Sequence, residues 1–184
     1  MALLALLFSA VGNRGLIKDS IRYARFPVEP VKPGLRLEFD LAVDPPYIAQ
    51  LFWDTGRGFN GDESLRRNYE ANTLYQTLRF DLPDLAKRHE SLRALRFDPF
   101  DAAGTIRIFG IRVVDQGRRT RLRLPPDCLQ AERDIASLEV QDQQILIRTT
   151  PTARDPILEF KPDYVKAVAE VMRAEGEREK GMGR

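Results

Sequence analysis

The chain holds one cysteine and one histidine among 184 residues, and both scarcities exclude chemistry. Cys128 has no second cysteine to pair with, so no internal disulfide staples the fold and packing alone must hold it. This suits the cytoplasm and does not exclude an envelope compartment. A Ser-His-Asp or Cys-His centre would need His89 beside Ser91 or Cys128 in space. His89 stands in the charged stretch Lys87-Arg88-His89-Glu90, where solvation is the expectation. No D-x-D occurs, which removes the metal-nucleotide signature of many sugar-nucleotide transferases. Acids are plentiful enough for glycoside hydrolysis, but no spacing singles out a pair. Excess charge of one sign is also missing: 29 basic and 27 acidic residues leave a formal +2, which argues against a dedicated nucleic-acid binder.

Long hydrophobic runs are equally scarce. Met1 to Ala10 (MALLALLFSA) is strongly apolar, yet a spanning helix needs ~20 such residues and a signal peptide wants a basic n-region. Arg14, Lys18, Arg22 and Arg25 follow it as the basic flank of a transmembrane helix would, so it reads either as the tail of such a helix or as a short docking helix. Pro27, Pro30 and Pro33 then break any helix and mark an extended linker. The chain thus divides into an apolar segment and Pro-rich linker at 1–34, a β domain at 35–161, and a C-terminal helix with a charged tail at 162–184.

Within 35–161 the dominant signal is β. Leu35, Leu37, Phe39 and Leu41 alternate with Arg36, Glu38 and Asp40, a strand with one wet face, which Asp44-Pro45-Pro46 stops. Tyr47 to Trp53 is more continuously apolar and reads as a central strand or one covered on both faces. Leu74 to Leu82 and Ser91 to Asp98 give two more, each closed by proline. In Thr105 to Asp115 the phase changes at Phe109-Gly110, with Ile106 and Ile108 on one face and Ile111 and Val113 on the other, so a bulge is expected at the glycine. Ala136 to Val140 and Gln144 to Thr149 flank a tight turn, and Ile157 to Phe160 follows. Seven or eight such short strands, with few helical stretches between them, favour an antiparallel sandwich. Tyr164, Val165, Val168, Val171 and Met172 have helical spacing, and the tail from Glu175 should fray.

Gly56-Arg57-Gly58-Phe59-Asn60-Gly61 matches G-x-G-x-x-G, but Asp62 and Glu63 would repel a pyrophosphate at the next helix start, and no alternating strand-helix series follows. Glycines shaping a surface loop are the better reading. Asp54, Asp62 and Glu63 there could supply oxygen ligands to a structural calcium, against plain turn chemistry. Trp53, Phe59, Tyr69 and Tyr75 cluster around the loop as stacking platforms for sugar rings or as core. Arg119, Arg121 and Arg123 alternate with Thr120, Leu122 and Leu124, setting three guanidiniums on one strand face. That face would meet phosphate or acidic glycan, or simply be solvated.

Gln50-Leu51-Phe52-Trp53-Asp54-Thr55-Gly56, continued by Gly58-Phe59 and Ser64, resembles a jelly-roll module of bacterial envelope glycan proteins. Leu78 to Pro83, Leu95 to Pro99, Ile106-Arg107-Ile108 and Asp155-Pro156 extend the resemblance over about Leu35 to Lys161. Such modules sit as carbohydrate-binding-like accessory sandwiches in glycosyltransferases and multi-spanning membrane proteins. The resemblance implies a galactose-binding-like jelly roll with no catalytic residue, near the cell envelope or the cytoplasmic face of the membrane. Its expected partners are a glycan, a glycosyltransferase or a membrane protein.

The residues expected to contact a ligand are Arg57, Phe59, Asn60 and Asp62, which combine a flat apolar face with planar hydrogen-bonding groups. Replacing Arg57 and Asn60 together by Ala is expected to weaken glycan binding and leave thermal stability almost unchanged. The rival expectation is a sandwich that packs on a membrane-associated enzyme and binds no sugar.

Overall fold

The computed structural model describes residues 34–44, 48–69, 75–85 and 91–182. The apolar start, the proline linker, the Pro45-Pro46 turn, Leu74 and His89 lie outside the described residues. Among the described residues, eleven strands and one long helix follow in order: β1 (Arg36–Asp44), β2 (Ile48–Asp54), β3 (Ser64–Asn68), β4 (Gln76–Asp81), β5 (Ala94–Asp98), β6 (Thr105–Val114), β7 (Thr120–Leu124), β8 (Leu129–Arg133), β9 (Ile135–Gln141), β10 (Gln144–Thr149), β11 (Ile157–Phe160) and α1 (Pro162–Met182). A 3-10 turn spans Gly61–Glu63.

The protein is mainly β, with two antiparallel sheets and one C-terminal helix, as a β-sandwich requires. The first sheet runs β4-β1-β6-β10-β9, with β7 also paired to β6, and the second runs β3-β2-β5-β11-β8. The alternation in β1 places Leu37, Phe39 and Leu41 fully inside and leaves Glu38 and Asp40 on the outer face. Across the gap the second sheet contributes Leu51, Leu95, Phe97 and Leu158, all fully buried. Phe39 of the first sheet stacks on Phe97 of the second at 4.3 Å between centroids, and Phe80 and Phe160 meet Phe39 edge-on. Each such side chain taken from water contributes roughly 1.5–3 kcal/mol.

The bulge expected at Gly110 is present: Asp40 pairs with Gly110 and Leu41 with Ile108, so Phe109 is the extra residue. The two pairs do not part to opposite faces as expected: the extra residue restores the phase, and Ile106, Ile108, Ile111 and Val113 are all buried in one core. The turn between β9 and β10 is equally specific. Asp142 and Gln143 both have positive φ, 50° and 63°, which twists a two-residue hairpin in the sense that its strands require.

Three further expectations are corrected. Among the described residues the strands are eleven, not seven or eight: the edge strands Ser64–Asn68, with Leu65 its one apolar residue, and Leu129–Arg133, where Leu129 is buried and Ala131 exposed, are among the additions. The tail does not fray at Glu175: α1 runs to Met182, with Glu175 held by Arg121 at 3.6 Å and by Arg178 at 3.5 Å. The arginine stripe is broken by a register shift between Val113 and Val114, where Leu122 and Thr120 are the partners and Arg121 has none. Arg121 instead bonds Asp115 at 2.7 Å, while Arg123 stands opposite Arg112. Of the two alternatives for β2, the central position holds, between β3 and β5, while its outer face is only half covered. Among the described residues, no helix is long and apolar enough to cross a membrane.

Candidate functional site

The loop after β2 is organised around two carboxylates. Asp54 Oδ1 accepts from the backbone N–H of Gly56 at 2.6 Å and of Gly58 at 2.9 Å, so the chain folds back over its own strand end. Glu63 is buried at 2% exposure and accepts from Thr55 Oγ1 at 2.5 Å and from Arg57 Nη2 at 2.6 Å. Burial would raise the Glu63 carboxyl, but the Thr55 and Arg57 hydrogen bonds outweigh it and hold it below the usual carboxylate range. Asn60 caps the 3-10 turn, its Oδ1 accepting from the N–H of Asp62 and of Glu63, both at 3.1 Å.

Of the expected ligand residues, Arg57 bonds Glu63 through Nη2, and Asn60 bonds within the loop through both Oδ1 and Nδ2. Asp62 is exposed, and Phe59 leaves the loop to join a different surface. Trp53 and Tyr69 are core: Trp53 Nε1 and Tyr69 OH are buried without a hydrogen-bond partner among the described residues. Burial also raises the Tyr69 phenol. For the calcium expectation, no group of three or more His, Cys, Asp or Glu side chains that could hold a metal ion occurs among the described residues.

Phe59 packs edge-on against Phe52, 6.4 Å between centroids, on the outer face of the second sheet. Register decides what joins them. Phe52 on β2 faces Arg96 on β5, which faces Glu159 on β11, while Gln50 faces Asp98 one row along. The Arg96 guanidinium lies 4.8 Å from the Phe52 ring centroid and 5.8 Å from that of Phe59. In its own plane it grips Asp98 with two bonds, Nε to Oδ1 at 2.7 Å and Nη2 to Oδ2 at 2.6 Å. Beside it, Gln50 Nε2 donates to Ser64 Oγ at 2.8 Å and Gln50 Oε1 accepts from Arg66 Nε at 3.0 Å. Burial raises the Asp98 carboxyl in spite of Arg96, and burial followed by the charge of Glu132 raises Glu159.

This face offers two aromatic rings and a row of planar donors and acceptors, and the orientation of each is fixed by a neighbour. Cys128 is fully buried, and that burial pushes its thiol up to about 12. On the other sheet Asp40 sits in a burial that would raise it, yet hydrogen bonds from Arg112 and Thr77 hold it low, the wrong direction for a general acid. Phe52, Arg96, Asp98 and Gln50 were not foreseen as site residues. They stand in two of the motifs that carry the resemblance, Gln50 to Gly56 and Leu95 to Pro99, at i, i+2 spacing, but neither motif reveals that the two strands lie side by side.

No family model, curated protein or solved structure matches the chain.

Proposed function

We propose that the chain is a non-catalytic carbohydrate-binding-like module that takes saccharide on the outer face of its second sheet. The observation that carries this reading is the cluster of Phe52, Phe59 and Arg96 with Asp98 and Gln50 beside it. A pyranose presents a flat C–H face and a rim of hydroxyls, and an aromatic ring next to bidentate planar groups complements both. The groups are pre-oriented by their own hydrogen bonds, which lowers the ordering cost of binding. Exchange of neighbouring strands between the two sheets, β1 to β2 and β3 to β4, supports a jelly-roll winding. Service to bacterial envelope polysaccharide synthesis, beside a glycosyltransferase or membrane protein, is part of the same proposal and rests on the sequence resemblance.

The test is calorimetric titration of the chain with a panel of neutral and acidic oligosaccharides, repeated with Phe59→Ala and Arg96→Gln. Saturable binding that weakens at least tenfold in both variants supports the reading. Saturable binding unaltered by either moves the site elsewhere. No binding across the panel rejects the glycan reading and leaves the interaction sandwich.

A further inference from the structure

We propose that the outer face of the first sheet carries a second saccharide-stacking site, built on Tyr75 and Phe109; the ligand class rests on the glycan reading above, but the site does not share its residues. Both rings are exposed, Tyr75 at 59% and Phe109 at 36%, with centroids 5.6 Å apart and planes tilted by 48°. Folding does not need them there, because water-facing aromatic rings gain little of the burial energy that fixes the core. They meet through two separate devices. Phe109 is the extra residue of the β6 bulge, and Tyr75 stands immediately before β4, the edge strand next to β1.

Between and beneath the rings lies a buried polar network. Asp40, opposite Gly110 on β1, accepts from Thr77 Oγ1 at 2.7 Å and from both terminal nitrogens of Arg112. Arg112 also grips Glu38 through Nε at 3.0 Å and Nη2 at 2.7 Å, and Arg79 Nε reaches the other Glu38 oxygen at 3.2 Å. Burial, then a hydrogen bond to Asp40 and the Asp40 charge, raises the Tyr75 phenol, so Tyr75 keeps its proton and stays a neutral donor.

The charge balance selects the ligand. Arg79 and Arg112 face Glu38 and Asp40, and Arg67 at the hollow is paired with Asp81 at 3.5 Å, so each of these arginines already has a carboxylate partner and none favours an anion over water. What remains attractive is a tilted pair of rings with planar donors at its border, which fits a neutral sugar. A shallow hollow of about 490 Å³, open to solvent and lined by Arg67, Asn68, Tyr75, Thr77 and Arg79 among others, borders Tyr75 but not Phe109. That volume falls within the roughly 300–1,000 Å³ usual for small-ligand sites. The two proposed sites lie on opposite outer faces with the core between them, sheets about 10 Å apart, so one molecule would hold two glycan segments at once.

The test is calorimetry of the full chain with the neutral oligosaccharides of the panel, on four proteins: the parent, Tyr75→Ala with Phe109→Ala, Phe59→Ala with Arg96→Gln, and the quadruple variant. Two sites in the parent, one in each double variant and none in the quadruple are expected. Tyr75→Ala alone serves as a milder variant, and should lower affinity at one site at least fivefold with an unchanged melting temperature. A single site in the parent, lost only with Phe59 and Arg96, overturns the second site and leaves the first. A single site lost only with Tyr75 and Phe109 does the reverse. Binding to neither face overturns both.

Discussion

Arg57 Nη2 lies 2.6 Å from Oε1 of Glu63, an arginine side chain 60% exposed bonded to a carboxylate only 2% exposed. The charge that looks available to a ligand is the counter-ion of a buried acid, and the surface loop is held from beneath. Asn60 adds two cap bonds and a third from Nδ2 to Gly58 O at 2.9 Å. Replacing Arg57 and Asn60 together by Ala should therefore destabilise the protein by about 1–3 kcal/mol, reversing the expectation from sequence. A melting temperature lower by roughly 2–4 °C per kcal/mol is the readout, and a shift under about 1 °C would show that the loop does not depend on these bonds.

How far the sequence told this story depends on the range of the forces involved. The alternation of Leu37, Phe39 and Leu41 is local and reads directly as a half-buried strand, and the lost phase at Phe109-Gly110 reads directly as a bulge. Leu65 and Leu129 carry β3 and β8 almost alone. Those strands exist because β2 and β11 present unpaired backbone to them, a condition set by distant parts of the chain. The candidate face was hidden for the same reason. Phe52 in a run of apolar neighbours reads as core, and only the pairing of β2 with β5 brings Arg96 over its ring. Arg121 shows the converse: its alternation with Leu122 and Leu124 is regular, yet one register shift turns it toward α1.

Phe97 stacks on Phe39 and meets Phe80 edge-on at 6.2 Å, with no exposure at any of the three. Phe97→Ala opens a void between the sheets that neither backbone can close, and should cost about 3–5 kcal/mol. Ile108→Ala, beside the bulge and 1% exposed, should cost about 2–5 kcal/mol. Urea unfolding monitored by Trp53 fluorescence measures both, and neutrality of either would contradict the assigned strand phases.

Acid should unfold the protein in part through Asp40. Its folded pKa is lowered, because the Arg112 and Thr77 hydrogen bonds outweigh burial. The ionised form is thus preferred in the native state, and its stabilisation is complete above the unfolded value of about 3.9 and lost as pH falls through the folded value. Asp40→Asn should be less stable than the parent near neutrality and should lose less further stability below about pH 4. Equal slopes of denaturation midpoint against pH in the two proteins would exclude this carboxylate from the acid response.

Two glycines of the same loop should respond oppositely to Ala. Gly56 has φ +117°, a conformation L side chains rarely adopt, and a Cβ there would stand 2.8 Å from Arg93 Cζ. The Arg93 side chain can move, but the backbone strain stays, and Arg93 N–H is bonded at 2.8 Å to the Asp54 carbonyl that begins the turn. Gly56→Ala should cost at least about 1 kcal/mol. Gly61 opens the 3-10 turn at an ordinary φ, and a Cβ there meets nothing within 4 Å. Gly61→Ala removes chain entropy from the unfolded state without a native penalty, and should be neutral or stabilising by up to about 1 kcal/mol. Paired thermal melts decide the matter: the two substitutions must move the midpoint in different directions, or Gly61 not at all, and an equal loss in both would mean that the loop closes through contacts other than the Asp54 and Asn60 turns.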